Sequence, residues 1–220
     1  MKNIFFDLDG TVINSMEGIF NSIKYVIKSY NLKELDEKTL RTFIGPPLHN
    51  SFLNTFNVDF ETADIFVSKY REYYSKKGIF EFSLYDGMKE MLKVLSEKYD
   101  LYITTSKPTD YAKMILEKED ILKYFKFVSG SEKDKPDSSK SQVVNYVTER
   151  FKLNKEDCVL IGDTKFDGEG ATHVGIDFFG VSYGFGSIDE LLEYNPVKIF
   201  NDTKEITDYF SRRRAIRTRL

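Results

Sequence analysis

The sequence holds one cysteine, two histidines and five prolines, and it has no long apolar run. A single thiol can form neither an internal disulfide nor a thiolate zinc cage. Cys158 lies within Cys158-Val159-Leu160-Ile161, where it reads as a buried structural side chain. His49 and His173 fall on different predicted elements, and neither has a second ligand motif beside it, so both read as surface or packing residues. With only 5 prolines and 13 glycines the chain is neither fibrous nor of low complexity. No stretch approaches the ~18 apolar residues of a membrane span. Asp7 and Asp9 also interrupt the first apolar run before it could serve as a signal segment. The expectation is a cytoplasmic protein without a membrane partner.

Basic residues are scarce where a nucleic acid would need them. Net charge is −3, yet five of the eight arginines (Arg212, Arg213, Arg214, Arg217, Arg219) crowd the last nine residues, and removing them leaves a body near −8. A groove that neutralises a phosphate backbone needs positive charge spread over a folded face, so a nucleic-acid partner is not expected. The basic stretch 212–220 reads as a disordered tail.

What is present is an ordinary globular composition, 41% hydrophobic and 30% charged, long enough for one main core and a smaller lobe. Lys2-Asn3-Ile4-Phe5-Phe6 is a short apolar run that stops abruptly at acids and Gly10, as a buried strand opening into a loop would. Four more such runs follow, at Tyr99 to Thr104, Phe125 to Val128, Val159 to Ile161 and Phe178 to Val181. Helical patterns fill the gaps, roughly Gly87 to Lys98, Thr109 to Glu117, Ser139 to Phe151 and Asp189 to Glu193. This alternation predicts an α/β fold, a doubly wound, Rossmann-like parallel sheet with helices on both faces. Residues 15–80 break the rhythm. They carry only helix-type stripes, such as Met16, Ile19, Phe20, Ile23, Val26 and Ile27, with a break at Gly45-Pro46-Pro47. The expected organisation is a discontinuous core of residues 1–14 and 81–211 with an inserted helical domain at 15–80.

In a doubly wound sheet ligands bind beyond the carboxyl ends of the strands. That edge would carry Asp7 and Asp9 after the first strand, Thr105 and Ser106 after the second and Asp163 and Asp167 after the fourth. Lys140 would open the helix that follows the third. Two carboxylates one residue apart at a strand end are not a packing solution, since an uncompensated buried charge costs several kcal/mol. An oxygen-rich cluster of this kind suits Mg²⁺, which takes a few carboxylates, waters and phosphate oxygen. Lysine and hydroxyl donors beside it match the charge on a transferring phosphoryl group.

These residues resemble the haloacid dehalogenase superfamily of phosphatases over nearly the whole chain. Asp7-Leu8-Asp9-Gly10-Thr11-Val12 looks like its first motif, Thr105-Ser106-Lys107-Pro108 is similar to its second, and Gly162-Asp163-Thr164-Lys165-Phe166-Asp167 resembles its fourth. The third motif is a lone lysine, for which Lys140 fits best and Lys135 competes. The resemblance implies that Asp7 attacks phosphorus to form an aspartyl phosphate and that Asp9 is the general acid and base. It further implies that Thr105, Ser106 and the loop at Gly10 hold the phosphoryl oxygens and that Lys140 screens Asp7 from them. Mg²⁺ would be held by Asp7, Asp163 and the backbone carbonyl of Asp9, with Asp167 as a further acid. Residues 15–80 would be a helical cap of the first type. Ile44-Gly45-Pro46-Pro47-Leu48 and Tyr183-Gly184-Phe185-Gly186-Ser187 resemble loops of the phosphoglycolate-phosphatase-like subgroup.

The expected activity is Mg²⁺-dependent hydrolysis of a small phosphorylated metabolite by a monomer or weak homodimer. A 5'-nucleotidase and a β-phosphoglucomutase-like sugar phosphomutase are the enzyme alternatives. A mutase needs basic cap residues for a second phosphate, and Arg41 is the only arginine near the cap loop. A dehalogenase would lack Asp9. An Mg²⁺-binding phosphoacceptor signalling domain is the non-enzyme alternative, but its acceptor lies on a middle strand and it needs no lid.

Overall fold

The computed structural model describes residues 1–131 and 139–212. Two compact units divide the chain, one of residues 1–13 with the segment from Leu84 onward, the other Asn14–Ser83. Chain order begins with β1 (Asn3–Phe6) and β2 (Ile13–Asn14), followed by the helices α1 (Met16–Ser29), α2 (Glu37–Arg41), α3 (Leu48–Phe56) and α4 (Phe60–Tyr74). Next come β3 (Ser83–Leu84), α5 (Met88–Ser96), β4 (Asp100–Pro108), α6 (Thr109–Lys118), β5 (Phe125–Ser131) and α7 (Lys140–Arg150). The chain continues with β6 (Cys158–Gly162), α8 (Lys165–Val174), β7 (Asp177–Val181), α9 (Ile188–Leu192), β8 (Lys198–Phe200) and α10 (Thr203–Arg212).

The main sheet is parallel in the order β5-β4-β1-β6-β7-β8, an α/β fold. The central strands β1 and β6 lie buried on both faces, which is why they read as continuous apolar runs instead of alternating ones. Successive side chains of β1 serve opposite faces. Phe5 packs on Tyr102 with ring centroids 5.1 Å apart in a cluster with Val144, Val147, Leu160 and Phe178, whereas Phe6 meets Phe125 edge-on at 6.4 Å. Cys158 is buried in the first cluster, where burial raises its thiol pKa to about 11, so it is a packing residue.

Five of these elements lie outside the sequence expectation: the short β2 and β3, which pair with each other, and α8, β8 and α10. Helix α8 escapes a periodicity reading because glycines interrupt it, and both are steric requirements of the core. A side chain at Gly168 would strike Tyr194, and one at Gly170 would strike the stem of Lys140. Strand β8 has three residues, and α10 presents only Ile206 and Phe210 as large buried apolar side chains amid charged neighbours. Arg212, assigned above to the tail, closes α10 and lies 3.9 Å from Asp208.

The helical unit has its own core. Ile19, Ile23 and Val26 of α1 are buried, as are Phe52 of α3 and Ala63, Phe66 and Tyr70 of α4, with Phe52 and Phe66 in edge contact at 5.7 Å. Asp36 and Asp59 begin α2 and α4 by accepting the N–H of Thr39 and of Thr62, each at 2.8 Å. Within this unit His49 stacks on Phe60 at 4.0 Å and sits 3.1 Å from its carbonyl, a packing role.

Candidate active site

Register builds the site. Phe6 pairs with Ile103 on one side and Ile161 on the other, so Asp7, Thr104 and Gly162 lie at one level on three adjacent chain segments. The chain departs from β1 toward β4 and β5 on one side and β6, β7 and β8 on the other, and this switch point is where open α/β sheets hold ligands.

The loop after β1 turns back at once, with Gly10 N donating to Ile13 O at 2.8 Å and Ile13 N to Leu8 O at 3.0 Å. Gly10 has φ +89°, and the Asp163 carboxylate occupies the space where a Cβ would stand, so both backbone and packing require glycine there. Thr11 Oγ1 donates to Asp163 Oδ1 at 2.9 Å and Phe185 N to Asp163 Oδ2 at 2.8 Å.

Two helix starts deliver the other side chains. Ser139 and Gln142 cap each other reciprocally at the first turn of α7, with Ser139 N donating to Gln142 Oε1 at 2.9 Å, which fixes Lys140 as the first helical residue. Thr164 N and Oγ1 both donate to Asp167 Oδ2, at 3.0 and 2.9 Å, at the start of α8. The Lys140 ammonium then lies 2.5 Å from Asp7 Oδ1, 2.8 Å from Asp167 Oδ1 and 2.9 Å from the carbonyl of Thr104. Asp7, Asp163 and Asp167 are all buried, each with a carboxylate oxygen within 4.8 Å of the others.

Three buried carboxylates around one ammonium leave excess negative charge. Burial raises the Asp7 pKa to about 7 against the lowering effect of Lys140, and Asp167 and Asp9 push it the same way. Burial, reinforced by the Asp167 and Asp7 charges, also carries Asp163 well above the usual carboxylate range. Burial disfavours the Lys140 cation too, but Asp167 and Asp7 outweigh it and hold its pKa above the ordinary lysine value. The mismatch is one that a divalent cation would resolve, and hard oxygen donors suit such an ion, so the triad fits a divalent metal.

The remaining predicted residues separate. Thr105 is buried within β4, which runs on to Pro108 instead of ending at Thr104, and its hydroxyl accepts from Lys107 N at 3.2 Å. Ser106 is exposed. The Asp9 carboxylate is not in the acidic triad and faces the ammonium of Lys107 at 3.1 Å. His173 is exposed on α8 beside the Glu169 carbonyl. Lys135 and the arginines at 213, 214, 217 and 219 lie outside the described residues. Sequence reasoning assigned no role to Thr11, the N–H of Phe185, the carbonyl of Thr104 or Lys107. Thr11 and Lys107 stand inside quoted motifs, which is the only signal the chain offers for them.

A buried carboxylate cluster and a lysine thus meet at the switch point of a parallel α/β sheet, a site whose donors suit a divalent metal beside an anionic group. The chain belongs to the haloacid dehalogenase-like hydrolase family, whose profile matches residues 4–181. It is 37% identical over 195 residues to a 5'-nucleotidase of Pseudomonas aeruginosa, covering 88% of each chain. It is 28% identical over 215 residues to a phosphoglycolate phosphatase of Haemophilus influenzae, covering 93% of this chain and 96% of that one. A solved haloacid dehalogenase-like hydrolase of Streptococcus pneumoniae superposes with a TM-score of 0.90 at 37% identity, covering 96% of this chain and 98% of its own. Among the described residues no helix is long and apolar enough to cross a membrane.

Proposed function

We propose that the protein hydrolyses a small organic phosphomonoester with Mg²⁺ through an aspartyl phosphate on Asp7. The observation that carries this reading is the Asp7 carboxylate, buried at a strand end with Lys140 on one oxygen and two more acids beside it. One oxygen is held by the ammonium, and the other is left to attack phosphorus. Lys140 also offsets the repulsion between Asp7 and an incoming phosphoryl group, and the Thr105 hydroxyl with the backbone N–H groups near Gly10 receives its oxygens. Asp9 gives a proton to the departing oxygen and then takes one from the water that cleaves the acyl phosphate.

Asp7, Asp163 and the carbonyl of Asp9 would hold the Mg²⁺, which neutralises phosphoryl charge and orients the ester. Asp167 Oδ2 accepts from Thr164, and its Oδ1 lies 2.8 Å from the Lys140 ammonium, a charge contact without an aligned hydrogen bond. It would hold Lys140 and stand as a further acid beside the metal. Residues 15–80 would serve as a cap, the part such a lobe plays in excluding water from phosphoryl transfer.

A phosphoglycolate-like ester is the first substrate reading. Nucleoside 5'-monophosphates are the second, favoured by the 37% identity to the Pseudomonas 5'-nucleotidase. A mutase is disfavoured because Arg41 is the one arginine in the sequence near the cap loop that could bind a second phosphate.

The test is a turnover panel of phosphoglycolate, nucleoside monophosphates, sugar phosphates and pyrophosphate with Mg²⁺ and with EDTA. Rates should fall by about 10³-fold or more on chelation. Undiminished rates in EDTA would remove the metal from the reaction, and hydrolysis of no monoester in the panel would overturn the substrate class.

A further inference from the structure

Asp9 follows Asp7 by two residues, yet its carboxylate stands apart from the triad and against Lys107, with Nζ 3.1 Å from Oδ1 and the two side chains 7% and 20% exposed. Exposed ion pairs contribute little, but this one is largely shielded from water, where charge attraction holds geometry more firmly. The pair is held by charge more than by a directed hydrogen bond, since Asp9 Oδ1 has no aligned hydrogen-bond partner. That leaves the carboxyl able to make one with a substrate.

Local backbone explains how a residue of β4 reaches the acid of its neighbour. The β4–β5 register shifts between Thr104 and Pro108, and in that irregular stretch Lys107 N donates to Thr105 Oγ1. The Lys107 carbonyl lies against Gly130 of β5, where no Cβ would fit. One short segment therefore fixes both the Thr105 hydroxyl and the ammonium that faces Asp9.

We propose that Lys107 is a positioning residue for proton transfer, its ammonium keeping the Asp9 carboxyl out of the acidic triad and available to the leaving-group oxygen. This rests on the reading of Asp9 as the proton donor. In that step an Asp7 oxygen bonds to phosphorus as the bond from phosphorus to the ester oxygen breaks. The proton of Asp9 passes to that oxygen, which leaves as an alcohol.

The dependence on leaving group tests it. An alkyl phosphate needs the proton, whereas p-nitrophenyl phosphate, whose phenolate leaves readily, needs it little. In the presence of Mg²⁺, kcat/KM reports the steps through phosphoryl transfer to Asp7. Lys107→Met should lose at least about tenfold more kcat/KM on the alkyl ester than on the nitrophenyl ester, and Lys107→Arg should recover to within about threefold of wild type on both. Lys107→Gln repeats the comparison should the methionine variant not fold. Equal losses on the two esters, no loss on either, or failure of arginine to rescue would each overturn the role. Asp9→Asn separates the two readings. If its loss is also equal on both esters, the proton-donor assignment falls and this inference with it. If Asp9→Asn is selective for the alkyl ester and Lys107→Met is not, only the role of Lys107 falls.

Discussion

Asp7→Asn should remove turnover by about 10⁴-fold or more in kcat, because an amide neither attacks phosphorus at a useful rate nor forms the acyl phosphate that water cleaves. The substitution should leave the fold intact, since it is isosteric and the carbonyl oxygen can still accept from Lys140. Its effect on stability carries a sign. The Asp7 carboxyl is raised from 3.8 to about 7 by burial, so the folded state holds this proton more tightly than the unfolded state. The stability it contributes is fully present below 3.8 and is lost as pH rises to about 7. Metal-free wild type should therefore lose Tm across that window, and Asp7→Asn should show a shallower decline, with Asp163 contributing the remainder in both proteins. Tm against pH in EDTA measures this, and parallel curves would show that Asp7 is not the strained carboxyl. Wild-type-like turnover in Asp7→Asn would sink the nucleophile assignment outright.

Lys140→Met is expected to be the most damaging single change to the metal-free fold. The ammonium touches Asp7, Asp167 and the Thr104 carbonyl at once. Methionine fills the channel left by the lysine stem but returns no charge, so Asp7 and Asp167 face one another without the ammonium that lies between them. Removing one member of a buried charge cluster typically costs about 3–5 kcal/mol. Urea unfolding in EDTA should show a loss of that order, and saturating Mg²⁺ should recover part of it by relieving the same repulsion. Turnover should fall by about 10²–10³-fold, as when one preorganised donor is taken from a developing charge. A variant as stable as wild type in EDTA would mean that the three acids share protons among themselves and do not depend on Lys140.

The sheet was legible because both of its faces are covered. Strands buried on both sides must be apolar throughout, so Ile4-Phe5-Phe6 and Val159-Leu160-Ile161 stand out, and the acids that end them stand out for the same reason. Asp7, Asp163 and Asp167 could thus be gathered from strand ends alone, and they do cluster. The partner of each acid was not legible. Nothing in the spacing says that Asp167 turns one oxygen to its own helix cap and the other to Lys140, or that Asp9 looks away toward Lys107, because side-chain direction depends on a cap and a register shift. Ser106, in the same motif as Thr105, is exposed where the β4–β5 register becomes irregular between Thr104 and Pro108. Helix α8 was missed because its glycines answer to neighbours distant in sequence.

The central position of β1 has a consequence for the order in which the protein can assemble during synthesis. Asn3 pairs with Cys158, 155 positions further along, so one flank of β1 cannot be covered until most of the chain has been made. Asn14–Ser83 is contiguous and needs no such wait. The helical unit should therefore gain structure first on the ribosome, with the sheet edge that carries Asp7 and Asp163 closing last and all at once. Nascent chains arrested shortly after residue 120 should protect backbone amides within 14–83 and leave those of Ile4 and Phe5 open to exchange. Protection of β1 at that length would contradict this order. The acids that make the site a poor match for its own charge would thus be brought together only at the final closure of the sheet.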